Sequence, residues 1–287
     1  MANDLAIKRR IKSVKSIRQV TKTMQIVSAS RVKKVQESAQ KLQEYSKVLM
    51  NIISKVSGDA DVLAKNKYFQ TIESGKDLVI YISTARGLAG ALPSALNYKV
   101  LNWLKQNKND CDFISINKRG FKTLKKMNHN VISYFEEMNH KTELSNLDPV
   151  VSEVRNGFLK GKYESVYIVY AKFHSLLIQK PVVEKLLPIS KDILMGSAVD
   201  NETQINDDVV IEPSVEDVLN DIIPHYLEMR LFDAIINSSA SEEAARMIAM
   251  KNATDNAKDM IDDLVLSFNK SRQMKITQQV AEISAAL

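Results

Sequence analysis

The sequence predicts two long terminal helices packed against each other, with an open, largely parallel α/β domain inserted between them. Three observations predict it. All eight glycines lie between Gly58 and Gly196, and all six prolines between Pro93 and Pro224, so residues 1–57 and 225–287 hold neither of the usual helix breakers. At ~1.5 Å rise per residue, uninterrupted end helices span roughly 85 and 95 Å, too long for a compact domain to use separately. Charge divides the same way. Residues 1–60 carry 13 Lys/Arg against 4 Asp/Glu, residues 215–287 carry 7 against 12, and a basic and an acidic helix suit one another. The middle alternates strand and helix patterns, the mark of a parallel sheet with helices on it.

Three segments follow: residues 1–57 as an N-terminal coiled-coil helix, 58–212 as the α/β domain, and 213–287 as a C-terminal coiled-coil helix. In the first, steps of seven give Ile7, Val14, Thr21, Ser28, Val35, Leu42, Leu49 and Val56, with Ile11, Ile17, Met24, Tyr45 and Ile52 as companions. That is a heptad seam, weakened between Thr21 and Arg31.

In the middle, Asp77–Ser83 reads as a strand, Ala91–Gln106 as a helix, Asp112–Ile116 as a strand and Gly120–Met127 as a short helix. Val131–Phe135 is a strand, Pro149–Leu159 a helix, Ser165–Phe173 a strand and Pro181–Pro188 a further strand. Residues 197–212 are polar and acidic and read as a linker. Ser214 is the expected N-cap of the last helix, with Glu216 and Asp217 in its first turn, where the helix dipole favours negative charge. That helix runs through Leu227, Leu231, Ala234, Ile248, Ala257, Ile261, Leu264 and Phe268, and Pro224 is a candidate kink. Its end, Val280 to Leu287, is small and apolar with one charge, Glu282, which suggests an end buried in something.

The chain of 287 residues has a formal charge of +6 and 45% hydrophobic residues, so it can build a sizeable core and is not disordered overall. A lone Cys111 excludes an internal disulfide framework and suits a reducing compartment. Four scattered histidines argue against a dedicated zinc site, and no apolar run reaches the ~20 residues that span a bilayer. No secretory signal is expected.

Candidate chemistry is sparse. Arg86-Gly87-Leu88-Ala89-Gly90 follows a strand and precedes a helix, where a dinucleotide site keeps its glycines, but G-x-G-x-x-G is missing and no P-loop is present. A tight strand-to-helix turn explains these glycines. Glu242-Glu243 and Asp262-Asp263 read as solvated helix faces rather than acid/base pairs. The basic run Lys8-Arg9-Arg10-Ile11-Lys12, with Lys15 and Arg18, suits nucleic acid, an anionic surface or a partner-facing helix. The first 44 positions hold no aromatic residue, so no stacking platform for a single strand exists there. The sequence thus points away from an enzyme. A free-standing scaffold or nucleic-acid binder, and a nucleotide-dependent enzyme on the middle domain, are the competing readings.

The stretch IKRRIKSVKSIRQVTKTMQIVSASRVKKVQ resembles the start of the gamma-subunit family of F-type ATP synthases. ARMIAMKNATDNAKDMIDDLVLSFNKSRQMKITQQVAEI resembles that family's end even more closely, and ARGLAG its D-R-G-L-C-G segment. The resemblance covers effectively the whole chain. It implies an antiparallel coiled coil as rotor shaft inside an alternating alpha/beta hexamer, and a Rossmann-like foot beside the epsilon subunit and the membrane c-ring. The subunit is expected to be non-catalytic and without cofactor, at the cytoplasmic face of the membrane in a bacterial-type complex. It implies that Met24 and Arg86 meet an acidic lever of a catalytic subunit, and that Arg246, Arg272, Gln273 and Thr277 hydrogen-bond the hexamer. Met24 can equally be a seam residue. Ala85, Ala89, Pro93 and Gln279 depart from the family pattern, which has Asp, Cys, a polar residue and Glu there. A related shaft with another output than an ion ring stays open.

Overall fold

The computed structural model describes residues 2–56, 66–70, 75–136, 138–139, 142–189 and 214–285. Helix α1 is Ala2–Val56 and the final helix, α5, is Val215–Ala285. Between them come β1 Lys76–Ile82, α2 Leu92–Gln106, β2 Asp110–Ile116, α3 Lys118–Lys126, β3 Asn130–Phe135, α4 Asp148–Leu159, β4 Ser165–Phe173 and β5 Gln179–Leu187. The expected linker 197–212 lies outside the described residues.

The chain divides into two compact units that cut across both long helices. The first holds Met1–Ser30 and Arg246–Leu287, the second Arg31–Ala245.

The first unit is a two-helix coil. Val14 packs with Ala257, Ile261 and Leu264, and the hydroxyls of Thr21 and Thr254 lie 2.8 Å apart. Numbers rise on α1 as they fall on α5, so the pair is antiparallel. Val14, Thr21 and Ser28 are buried as the seam predicts, and Ile7 and Ile11 are half-buried. Ile17 and Met24 are not seam residues. They are 52% and 38% exposed. The covered flank runs mostly four residues after a seam position, through Ile11, Gln25 and Val32, although Arg18, four after Val14, is exposed. With one partner helix only one such flank is covered. The side chains of Leu42, Tyr45 and Val56 fall outside the described residues.

The second unit is built on a five-stranded sheet of order β3-β2-β1-β4-β5. The first four strands are parallel and β5 returns antiparallel at the edge. Alternation along β1 explains the layers. Leu78, Ile80 and Ile82 face one side, with α4 residues Val150, Val154 and Phe158 and α5 residues Leu219, Ile223, Leu227 and Leu231. Val79 and Tyr81 face the other, with Leu92, Leu96 and Val100 of α2 and Leu124 of α3. Each such side chain contributes ~1.5–3 kcal/mol by leaving water. Ile53 of α1 joins the first layer, and Val35 packs with Ile236 and Ala240, again antiparallel.

Helix α5 starts as expected. The Asp217 N–H donates to the Ser214 hydroxyl at 3.1 Å, and that hydroxyl donates to the Asp217 carboxylate at 2.6 Å. The helix continues through Pro224 without interruption. Gly120 has a steric reason: a Cβ there would come 2.9 Å from Ser83 and Tyr81.

Candidate partner-contacting surfaces

The first unit presents an unusual amount of bare apolar surface for so small a structure. On α1, Ile17, Val20, Met24, Ile26 and Val27 are exposed, interleaved with exposed Lys8, Arg9, Arg10, Lys12, Lys15, Arg18 and Lys22. On α5, Leu266, Met274, Ile276, Val280 and Ile283 are more than half exposed. The register that sets Val14 against Ile261 carries the last turns of α5 beyond the first residues of α1. Residues 276–285 are accordingly exposed on every side. A helix carrying bare Ile276, Val280 and Ile283 needs another surface to cover it.

Four of the six expected contact residues are open to solvent in this unit: Met24, Arg272, Gln273 and Thr277. Gln273 and Thr277 share one helical turn, where the Thr277 hydroxyl donates to the Gln273 carbonyl at 3.0 Å. Arg246 differs. Only 5% of it is exposed, so its own chain covers most of the guanidinium and stem.

Arg86 stands in the second unit, exposed on the turn after β1. This turn lies at the C-terminal ends of the parallel strands. There β1 sits between β2 and β4, and the flanking helices α2 and α4 lie on opposite faces of the sheet. In open α/β sheets that crevice is the usual ligand position. Here it is filled by the protein. The Ala85 and Arg86 N–H groups donate to the two carboxylate oxygens of Glu242 at 2.7 and 2.8 Å. A nucleotide phosphate would have to displace a charge-assisted pair of hydrogen bonds, so the turn is not an open phosphate cradle.

The expectation for Glu242-Glu243 is thereby corrected. Both are 6% exposed, not solvated. Glu243 accepts from the Arg31 guanidinium at 3.3 Å. Asp262 and Asp263 are exposed as expected. Around the clamp, Arg31, Arg86, Asn139, Ser239 and the two glutamates line a polar hollow of about 110 Å³. Leu88 has φ +63° and is 58% exposed. A leucine in the left-handed region costs about 1 kcal/mol or more and persists only where its surroundings fix it.

A second charged cluster, which the sequence reading missed, lies at the opposite, N-terminal ends of the parallel strands. Asp112 accepts from Asn130 at 2.8 Å, Lys76 at 3.0 Å and Tyr163 at 3.2 Å. Burial pushes its carboxyl up, but hydrogen bonds from Asn130 and Lys76 and the Lys76 charge outweigh that and hold it below the usual range. Asp77 accepts from Asn107, Asn109 and the Ser165 N–H. Every oxygen here is satisfied by the fold itself, so the cluster is structural. Cys111 beside it is half-buried, and burial first, with Asp77, Asp110 and Asp112, pushes its thiol up to about 11. No helix among the described residues is long and apolar enough to cross a membrane.

Known proteins share this arrangement. The ATP synthase family model matches residues 4–287. The ATP synthase gamma chain of Haemophilus influenzae is 35% identical over 292 residues, covering 99% of this chain and 98% of that one. The gamma chain of Roseiflexus sp. is 31% identical over 290 residues, covering 99% and 97%. Among solved structures, the rotor of the Euglena gracilis mitochondrial ATP synthase matches 96% of this chain and 99% of its own at a TM-score of 0.63 and 18% identity, a likeness of fold. The Tetrahymena thermophila central stalk and c-ring structure matches 82% of this chain at a TM-score of 0.62. From the first bare turns of α1 to the protruding end of α5, this chain belongs to the ATP synthase gamma chain family.

Proposed function

We propose that the chain is the central rotor shaft of a rotary F-type ATPase. It couples rotation to conformational change at the catalytic sites of an alpha/beta hexamer, and it is not itself a catalyst. One observation carries this reading most directly: the single-helix end of α5, with Ile276, Val280 and Ile283 bare, continues a coil whose α1 is apolar and basic toward solvent. Such a surface is made to be enclosed by partners, not to face water.

In this reading residues 1–57 and 213–287 are the shaft and 58–212 the foot. The foot meets the epsilon subunit and the membrane c-ring, at the cytoplasmic face of the cell membrane. Met24 and Arg86 meet an acidic lever of a catalytic subunit, and Arg272, Gln273 and Thr277 hydrogen-bond the hexamer. Arg246 does so only by its small exposed edge. Exposed cations along α1 suit acidic partners, because complementary potentials steer association and set register. The shaft shifts a catalytic site only by touching its open and closed forms unequally. An asymmetric two-helix coil inside a three-fold ring does this, since each of three equivalent sites meets a different side of it.

The test is a tagged pull-down from the native source in mild detergent, with stoichiometry by native mass spectrometry. Three alpha, three beta and one copy of this chain, with epsilon and a membrane ring, is the expected result. A hexamer without a membrane ring would mean a rotary ATPase with another output. Recovery of no hexamer would overturn the rotor reading.

A further inference from the structure

We propose that Glu242 is a positioning residue that pins the 85–88 turn to helix α5, so that Arg86 and Leu88 move as one body with the stretch of α5 that carries Glu242. The inference rests on the reading above, in which Arg86 meets the hexamer. Glu242 is not among the six expected contact residues, and it is buried, so it acts through the turn.

The geometry is specific. The turn leaves β1 after Ile82 and reaches α2 only at Leu92; the Ser83 N–H still donates to the Ile116 carbonyl at 3.1 Å, and residues 84–91 belong to no strand or helix. Two consecutive N–H groups of this segment end on one carboxylate at 2.7 and 2.8 Å, and 6% of Glu242 is exposed. The neighbouring Glu243–Arg31 pair, 3.3 Å apart, ties α5 to α1 at the same level. Beyond the pin, Leu88 is held at φ +63° with its side chain outward, and Gly90 at φ +57° turns the chain back toward α2. A bare leucine in a strained conformation beside a bare arginine is a presented contact, and strain of this kind survives only where neighbours fix the backbone. Load applied at Arg86 then reaches α5 directly, through two charge-assisted hydrogen bonds, as well as through the sheet by way of Ser83. Ala85 matters here only by its N–H, which makes a small residue sufficient.

The test uses Glu242→Ala and the near-isosteric Glu242→Gln. A nitroxide is placed at Leu88→Cys in a Cys111→Ser background and read first in the free chain, then in the assembled complex. Both substitutions are expected to add a mobile component to the spectrum, with the ordered fraction of the turn falling about tenfold in the alanine variant. In the assembled complex, ions moved per ATP hydrolysed should fall for Glu242→Ala as far as for Arg86→Ala. The double variant should be no worse than either, because both break one path. Additive losses, or an immobile label in both variants, would overturn the proposal. If the alanine variant fails to fold, the glutamine variant decides, since it keeps one acceptor oxygen and the side-chain volume. If the wild-type chain joins no hexamer, the rotor reading falls, and the free-chain label still decides the pin.

Discussion

Replacing the two threonines that meet inside the coil tests what a polar layer does in a long seam. Thr21 and Thr254 are 9% and 8% exposed, and their hydroxyls lie 2.8 Å apart. Each also has a carbonyl on its own helix, Arg18 at 3.0 Å for Thr21 and Met250 at 2.8 Å for Thr254. Thr254→Val alone removes the bond between the helices and sets the Thr21 hydroxyl against a methyl, at a cost of ~1 kcal/mol. Thr21→Val alone should cost about the same. The double variant loses the bond between the helices and both hydroxyl bonds to the helices' own carbonyls, but it leaves no hydroxyl facing a methyl and buries two facing methyls, each worth ~0.8 kcal/mol. It should therefore be about as stable as the natural pair, and ~1 kcal/mol or more better than the sum of the single variants. Hydrogen exchange at amides of α1 and α5 flanking positions 21 and 254 reads this locally, where a global melt would mix the two units. The layer's use then shows elsewhere. An apolar seam tolerates slippage that a hydroxyl pair forbids, so spin labels across the coil should give a broader distance distribution in the double variant. Single-variant costs that add within ~0.3 kcal/mol would refute the reasoning.

Two further outcomes follow from the N-terminal ends of the parallel strands. Because the Asp112 carboxyl is held low when folded, its stabilising effect is present above the unfolded carboxylate range and disappears as pH falls through the folded value. Asp112→Asn should melt well below the natural protein at pH 7, with the gap closing toward pH 3 in a melting series. Cys111, with its thiol raised to about 11, should alkylate at pH 8 roughly two orders of magnitude more slowly than a free cysteine, speeding up steadily to pH 11. Iodoacetamide labelling followed by mass spectrometry measures it.

The long helices were legible because glycine and proline act locally. Their absence needs no knowledge of what lies across from them. Strand β4 was legible to the residue, since Ser165–Phe173 is an apolar run buried on both faces. Strand β5 starts at Gln179, ahead of Pro181, which as an edge residue sacrifices no necessary ladder bond. The errors have another origin. Heptad spacing marks the seam of α1 but not which flank a lone partner covers, so Ile17 and Met24 were placed inward by pattern and lie outward in fact. Glu242 read as a solvated charge because its partners are main-chain N–H groups more than 150 residues away, and backbone donors have no sequence signature. An exposed Leu88 was equally invisible, since nothing about leucine announces a positive φ.

The insertion of the sheet between the two long helices also orders the folding of the chain. Thr21 and Thr254 are separated by 233 positions. At ~5–20 residues per second of synthesis, α1 spends roughly 10–50 s without its mate. Closing so long a disordered loop costs ~5 kcal/mol in chain entropy. Folding of the unit Arg31–Ala245, which already brings Val35 beside Ile236 and Ala240, shortens that loop to the stretch beyond it. The two helices therefore close like a zip from Arg31 and Ala245 outward, and the bare end of α5 is the last part of the chain to find its place.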